Sequence, residues 1–125
     1  MKELLVVGLG GFVGAVARYG ISGLAHRWYS GPFPLGTLTV NVLGCFVLGG
    51  LMTLVEDRQL LAPTTRIFLT IGLLGSLTTF STLGYETVAL LRDAELRLAA
   101  MSFIANGLLG LAAVLLGRAT IGILG

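Results

Sequence analysis

The chain has 125 residues, of which 55% are hydrophobic and only 11% charged, and its mean hydropathy is +0.95. A soluble domain carries about 25% charged residues, so this composition excludes a soluble enzyme and a disordered segment, and a formal charge of +2 makes no basic patch suited to nucleic acid. Nineteen glycines with three prolines and no repeat suit closely packed membrane helices, and the lone Cys45 cannot form an internal disulfide.

A spanning helix needs roughly 20 mostly apolar residues. Four such runs, about 4–24, 35–55, 67–91 and 98–116, fit a single transmembrane domain over residues 1–125. The first is interrupted only by Arg18. It is not a cleavable signal peptide, because everything downstream is also apolar. Its glycines imitate a dinucleotide-binding turn, but their spacing is off the usual pattern and no strand–helix alternation follows. Gly10 and Gly14, four apart, fit a helix-packing face instead. Arg18 either snorkels to the interface or draws anions into an aqueous vestibule. His26, the single histidine, is expected in the connector that follows.

After the turn Ser30-Gly31-Pro32-Phe33-Pro34, the second run carries Thr37, Asn41 and Cys45 on one helical face. The Asn41 amide either donates to an anion or bridges to another helix. A polar connector from Glu56 to Arg66 leads into the third run, whose middle, Gly72-Leu73-Leu74-Gly75-Ser76-Leu77-Thr78-Thr79-Phe80-Ser81-Thr82-Leu83-Gly84, is crowded with glycines and hydroxyls. A helix from Ile67 to Arg92 would be roughly 39 Å long, which sets residues near 79 close to the bilayer midplane. This patch predicts a broken helix there, tolerated only where it is buried in protein or lines a watery cavity. Freed carbonyls suit a cation, and freed amides or hydroxyls an anion. The alternative is an intact helix whose hydroxyls bond to the preceding turn.

Phe80 either packs or presents its positive ring edge to an anion, and Glu86 is either a vestibule carboxylate or a solvated terminal one. The fourth run, which follows Arg92-Asp93-Ala94-Glu95, carries a stripe of Ser102, Asn106 and Gly110 open to the same two readings as Asn41. No nucleophile–base set and no His/Cys cluster is present, so neither an enzyme nor a transition-metal site is expected.

Four spans put both termini and the second connector on one side, with Lys2, Arg58, Arg66 and Arg118. Arg27, Arg92 and Arg97 lie opposite, with Arg18 near that end. So even a balance gives almost no positive-inside bias. It predicts insertion in both orientations and an antiparallel dimer.

Three motifs carry a family resemblance: Gly10-Gly11-Phe12-Val13-Gly14-Ala15-Val16-Ala17-Arg18-Tyr19, Gly36-Thr37-Leu38-Thr39-Val40-Asn41-Val42-Leu43-Gly44 and Gly75-Ser76-Leu77-Thr78-Thr79-Phe80-Ser81-Thr82. In this order, across three spans, the chain closely resembles the Fluc (CrcB) fluoride channels. The resemblance implies an all-α membrane protein with four transmembrane helices per subunit and a third helix broken near the bilayer midplane. It also implies an antiparallel dual-topology homodimer in the cell (inner) membrane, multi-pass, that passively exports fluoride. A structural sodium at the dimer centre would be held by backbone carbonyls, which by motif position belong to Gly75 and Thr78. Asn41, Phe80, Ser81, Thr82 and Leu83 would line the fluoride pore, joined by Ser102 and Asn106 in the fourth helix. Arg18 and Glu86 would sit in the vestibule.

The chain departs from the family pattern at three places. Leu83 stands where a second phenylalanine is usual, Ser102 (beside Phe103) where a tyrosine is usual, and Cys45 where serine is usual. These changes bear on rate and affinity, and leave room for a heterodimer with a paralogue. Two other classes share the architecture. A proton-coupled small multidrug transporter needs an intramembrane carboxylate, for which Glu86 is the candidate. A non-conducting helical subunit needs only glycine packing.

Overall fold

The computed structural model describes residues 1–125 and contains helices and their connections, with no strand. Four helical stretches are long and apolar enough to cross a membrane: the first span Lys2–Trp28, the second Leu35–Asp57, the third Pro63–Arg92 and the fourth Leu96–Ile123. They outrun the apolar segments because helical hydrogen bonding does not stop where hydropathy falls. One consequence corrects the sequence reading: His26 and Arg27 form the last turn of the first span rather than a connector.

The chain's turn residues set the limits of these spans. Pro32 and Pro34 keep the first connector from continuing the helix, and Pro63 opens the third span, where its missing N–H costs nothing. The third span closes with Ala94 in the left-handed region at φ 60°. The Glu95 amide donates to the Leu90 carbonyl (2.8 Å) and the Ala94 amide to that of Leu91 (3.1 Å). This double closure satisfies the last carbonyls of the helix and turns the chain directly into the fourth span.

Glycine faces bring the spans together in pairs. Gly49 of the second span meets the backbone of Val114, and Gly117 of the fourth meets that of Phe46. Gly10 and Gly14 of the first span lie against the backbone of the third. A Cβ at Gly10 would stand 2.5 Å from the Phe68 carbonyl oxygen and 3.0 Å from Gly72 Cα. Lipid tails offer no hydrophobic drive between helices, so such close backbone approach supplies the packing. Val40, Leu74 and Leu77 form the small core. Only 20 of the 125 residues are buried, which leaves most of the apolar surface to lipid or to other protein chains.

The third span changes character along its length. Pro63–Ile67 is α-helical, Phe68–Leu74 widens to a π-helix and Gly75–Leu77 tightens again. Thr78 (φ −81°, ψ 157°) and Thr79 (φ −151°, ψ 119°) are then extended before Phe80–Arg92 resumes the helix. The two halves have different neighbours: residues 63–77 lie along the first span, and Phe80–Arg92 along the fourth.

At the end that holds the termini, Arg118 pairs with Glu56 (3.1 Å) and Asp57 (3.4 Å), and Arg58 donates to the Ile121 carbonyl (2.6 Å). The exposed pairs contribute roughly 0–1 kcal/mol each. Their effect is to tie the second connector to the end of the fourth span.

Candidate ion pathway

Two extended residues inside an apolar span leave backbone groups to satisfy, and in a membrane they must find protein partners. In an unbroken helix the Thr79 amide would bond the Gly75 carbonyl, and the Thr82 amide that of Thr78. Here the Thr79 amide donates to Asn41 Oδ1 (2.8 Å), and the Thr82 amide to Thr79 Oγ1 (3.2 Å), which caps the second half-helix. Asn41 Nδ2 in turn donates to the Thr79 carbonyl (3.1 Å) and to Asn106 Oδ1 (2.7 Å). Asn106 Nδ2 donates to the Ser102 carbonyl (2.8 Å). The Asn41 amide therefore holds both backbone groups of Thr79, much as a neighbouring strand would, and links the second span to the third and fourth. The carbonyls of Gly75 and Thr78 are released from the amides that a helix would have given them.

A cavity of about 370 Å³ opens beside this junction. Asn41, Gly75, Thr78, Phe80, Leu83 and Asn106 line it, with Cys45 and Phe103. Leu83 is 5% exposed, whereas Phe80 is 75% exposed.

On the other side of Thr79 a wide cleft separates the last turns of the first span from Phe80–Arg92. It consists of two joined hollows of about 600 and 950 Å³, which share Ser22, His26, Thr37 and Thr82. The larger hollow carries Arg18 and Arg27 and reaches Thr79; the smaller carries Glu86, Asp93 and Glu95. At the inner end Thr79 Oγ1 donates to Thr82 Oγ1 (2.9 Å); it also lies 3.4 Å from Ser81 Oγ, although Ser81 lines neither hollow. Further out, Thr37 Oγ1 donates to Glu86 Oε1 (2.9 Å). Glu86 Oε2 and Ser102 Oγ are buried polar atoms with no partner in the chain.

The sequence-expected residues thus fall into three groups. Asn41, Asn106 and the Ser102 carbonyl form one hydrogen-bonded chain between the second and fourth spans, joined to the third at Thr79. Phe80, Leu83 and the Gly75 and Thr78 backbone border the cavity. Arg18, Thr82 and Glu86 border the cleft, whereas Ser81, which is exposed, and Ser102, which is fully buried, border neither the cleft nor the cavity. Sequence reasoning missed the Thr37–Glu86 bond, the role of Thr79 as partner of Asn41, and His26 as a cleft residue. For His26 a signal existed, since Arg18, Ser22 and His26 recur every four residues on one helical face.

Residues 5–118 match the family described as CrcB-like protein, Camphor Resistance (CrcB). A protein named fluoride-specific ion channel FluC 1, from Methanosarcina acetivorans, is 47% identical over 118 residues, which cover 94% of this chain and 89% of that one. A FluC channel of Clostridium perfringens is 44% identical over 102 residues, covering 82% and 80% of the two chains. That of Nitratidesulfovibrio vulgaris is 41% identical over 120 residues, covering 96% and 97%.

Proposed function

This chain belongs to the CrcB family, and on that premise we propose that it is a fluoride-selective channel, which exports fluoride passively across the cell (inner) membrane and lowers its toxicity to the cytoplasm. It is a multi-pass membrane protein and not an enzyme. The observation that carries the reading is the run of hydroxyls and amides on either side of the extended step in the third span. Thr82 and Thr79 face the cleft, and Asn41 and Asn106 the cavity. The transporter and silent-subunit readings lose ground because the relatives are named as fluoride-specific channels.

Fluoride is small and strongly hydrated, so a selective path must replace its water with close donors. The charge of Arg18 raises the local anion concentration in the cleft. The hydroxyls of Ser81, Thr82 and Thr79 then exchange their mutual bonds for bonds to the ion. Asn41 does the same by giving up its 2.7 Å bond to Asn106. Phe80 contributes a ring edge, a contact weak enough to permit release, and Leu83 contributes shape without a quadrupole. Conduction depends on that balance of capture and departure. The orphaned oxygens of Glu86 and Ser102 mark polar positions that a hydrated path would satisfy.

The working unit we propose is an antiparallel dual-topology homodimer in the lipid bilayer, with the step at Thr78–Thr79 near the midplane. Three observations support it: the charges are balanced across the two ends, the Phe80 ring is exposed, and the cavity opens on the subunit's surface. A paralogue in place of the second copy is the heterodimeric variant. The freed carbonyls of Gly75 and Thr78 fit a hard cation such as sodium, which prefers oxygen donors. Bound there, it would neutralise carbonyl dipoles and join the two copies.

Fluoride efflux from liposomes holding purified protein, with chloride as control, tests the function. Fluoride release at a rate well above chloride is expected; equal rates, or no fluoride release, would overturn it.

A further inference from the structure

The cleft carries one ionisable group that the mechanism above leaves unused. His26 lies one turn beyond Ser22 and two beyond Arg18, on the face of the first span that borders the cleft. It is exposed, and it borders both hollows. The surrounding charges are divided between those hollows. On its own helix, Arg18 and Arg27 share the larger hollow with the phenol of Tyr19. From the third span Tyr85 and Glu86 face the smaller hollow, and the connector after it adds Asp93 and Glu95. The first connector contributes Tyr29. The second span brings only the neutral Thr37, which holds Glu86. The smaller hollow is thus lined by carboxylates and the larger by guanidinium groups, and His26 borders both.

We propose that His26 is the outer recruiting residue of the anion path, and that protonation of its imidazole offsets the carboxylates at the mouth and speeds fluoride capture. The inference rests on the channel reading above. Imidazole is the side chain that ordinarily changes charge between roughly pH 5 and 8. Added positive charge at a mouth raises anion capture on acidification, and fluoride flux therefore increases as pH falls. One added charge a few ångströms from a hydrated ion changes its local concentration roughly two- to fivefold in water. Dissolved salt weakens the effect, because the mouth is open to solvent.

The test is initial fluoride efflux from proteoliposomes with equal pH on both faces, at about pH 8 and about pH 5.5. Free fluoride ion is held constant and leakage from protein-free liposomes is subtracted. Wild-type flux is expected to rise roughly two- to fivefold on acidification at low salt, and by less at high salt. His26→Gln should stay at the low rate and His26→Arg at the high rate, both flat with pH. A pH response in His26→Gln equal to that of the wild type would overturn the proposal. So would a pH-independent wild type, or a His26→Arg variant as slow as His26→Gln. Wild-type protein with no fluoride flux at either pH would instead defeat the channel reading itself. The two failures are therefore distinguishable.

Discussion

Replacing Asn41 with leucine tests whether this side chain holds the third span's interruption together or serves only a passing ion. The substitution keeps the number and branching of the side-chain heavy atoms and removes three bonds: those from Nδ2 to the Thr79 carbonyl (3.1 Å) and to Asn106 Oδ1 (2.7 Å), and that from the Thr79 amide to Oδ1 (2.8 Å). Thr79 is only 7% exposed, so water cannot readily take Asn41's place. Hydrogen bonds between membrane helices average about 0.6 kcal/mol and reach about 1.7, which puts the total loss at roughly 2–5 kcal/mol. Unfolding in mixed micelles, measured beside fluoride efflux, reads this directly. Asn41→Asp adds a diagnostic, because it keeps the acceptor for the Thr79 amide but sets an oxygen against two acceptors; it should be no more stable than the leucine variant. A double-mutant cycle with Asn106→Leu should return about 0.6–1.7 kcal/mol of coupling for the single bond they share. A leucine variant with wild-type unfolding energy and reduced flux would refute the clamp and leave Asn41 a role toward the ion alone.

Five further substitutions, at four positions, probe the frame around this junction. Gly10→Ala forces a Cβ against the Phe68 carbonyl and Gly72, and is expected to destabilise by about 1–3 kcal/mol. Gly8→Ala, with nothing within 4 Å, should be neutral in the same unfolding assay. Thr79→Val removes the cap of Phe80–Arg92 at a cost of about 0.5–2 kcal/mol, whereas Thr79→Ser should retain most of the stability. Ala94→Gly relieves a left-handed alanine and should raise unfolding free energy by about 1 kcal/mol; a loss would show that the closing turn does not carry that strain.

Much of this architecture is legible in the sequence, because hydropathy and charge act along the chain. The four spans, the crowding of glycine and hydroxyl residues around Thr79, and the polar stripes at Thr37–Asn41 and Ser102–Asn106 all follow from local spacing. Partners separated by tens of residues do not. Nothing local says that Asn41 meets the backbone of Thr79, 38 positions away, or that Thr37 bonds Glu86, 49 positions away. Those pairings depend on how the glycine faces set the helices against one another. His26 was misplaced for a related reason. Hydropathy ends near Leu24, but the hydrogen-bonded helix continues to Trp28 and carries the imidazole into the cleft.

In a continuous helix each residue turns the next by about 100°, so the faces at the two ends are locked to one another. The extended pair Thr78–Thr79 removes that lock. The half that lies on the first span and the half that lies on the fourth keep separate angular phases, and the orientation of the second is set afresh where Asn41 grips Thr79. A local overwinding or widening before the step, such as the π-helical turns of Phe68–Leu74, can therefore be absorbed there. Thr82 and Glu86 keep their bearing toward the cleft, and either half can vary in sequence without rotating the other.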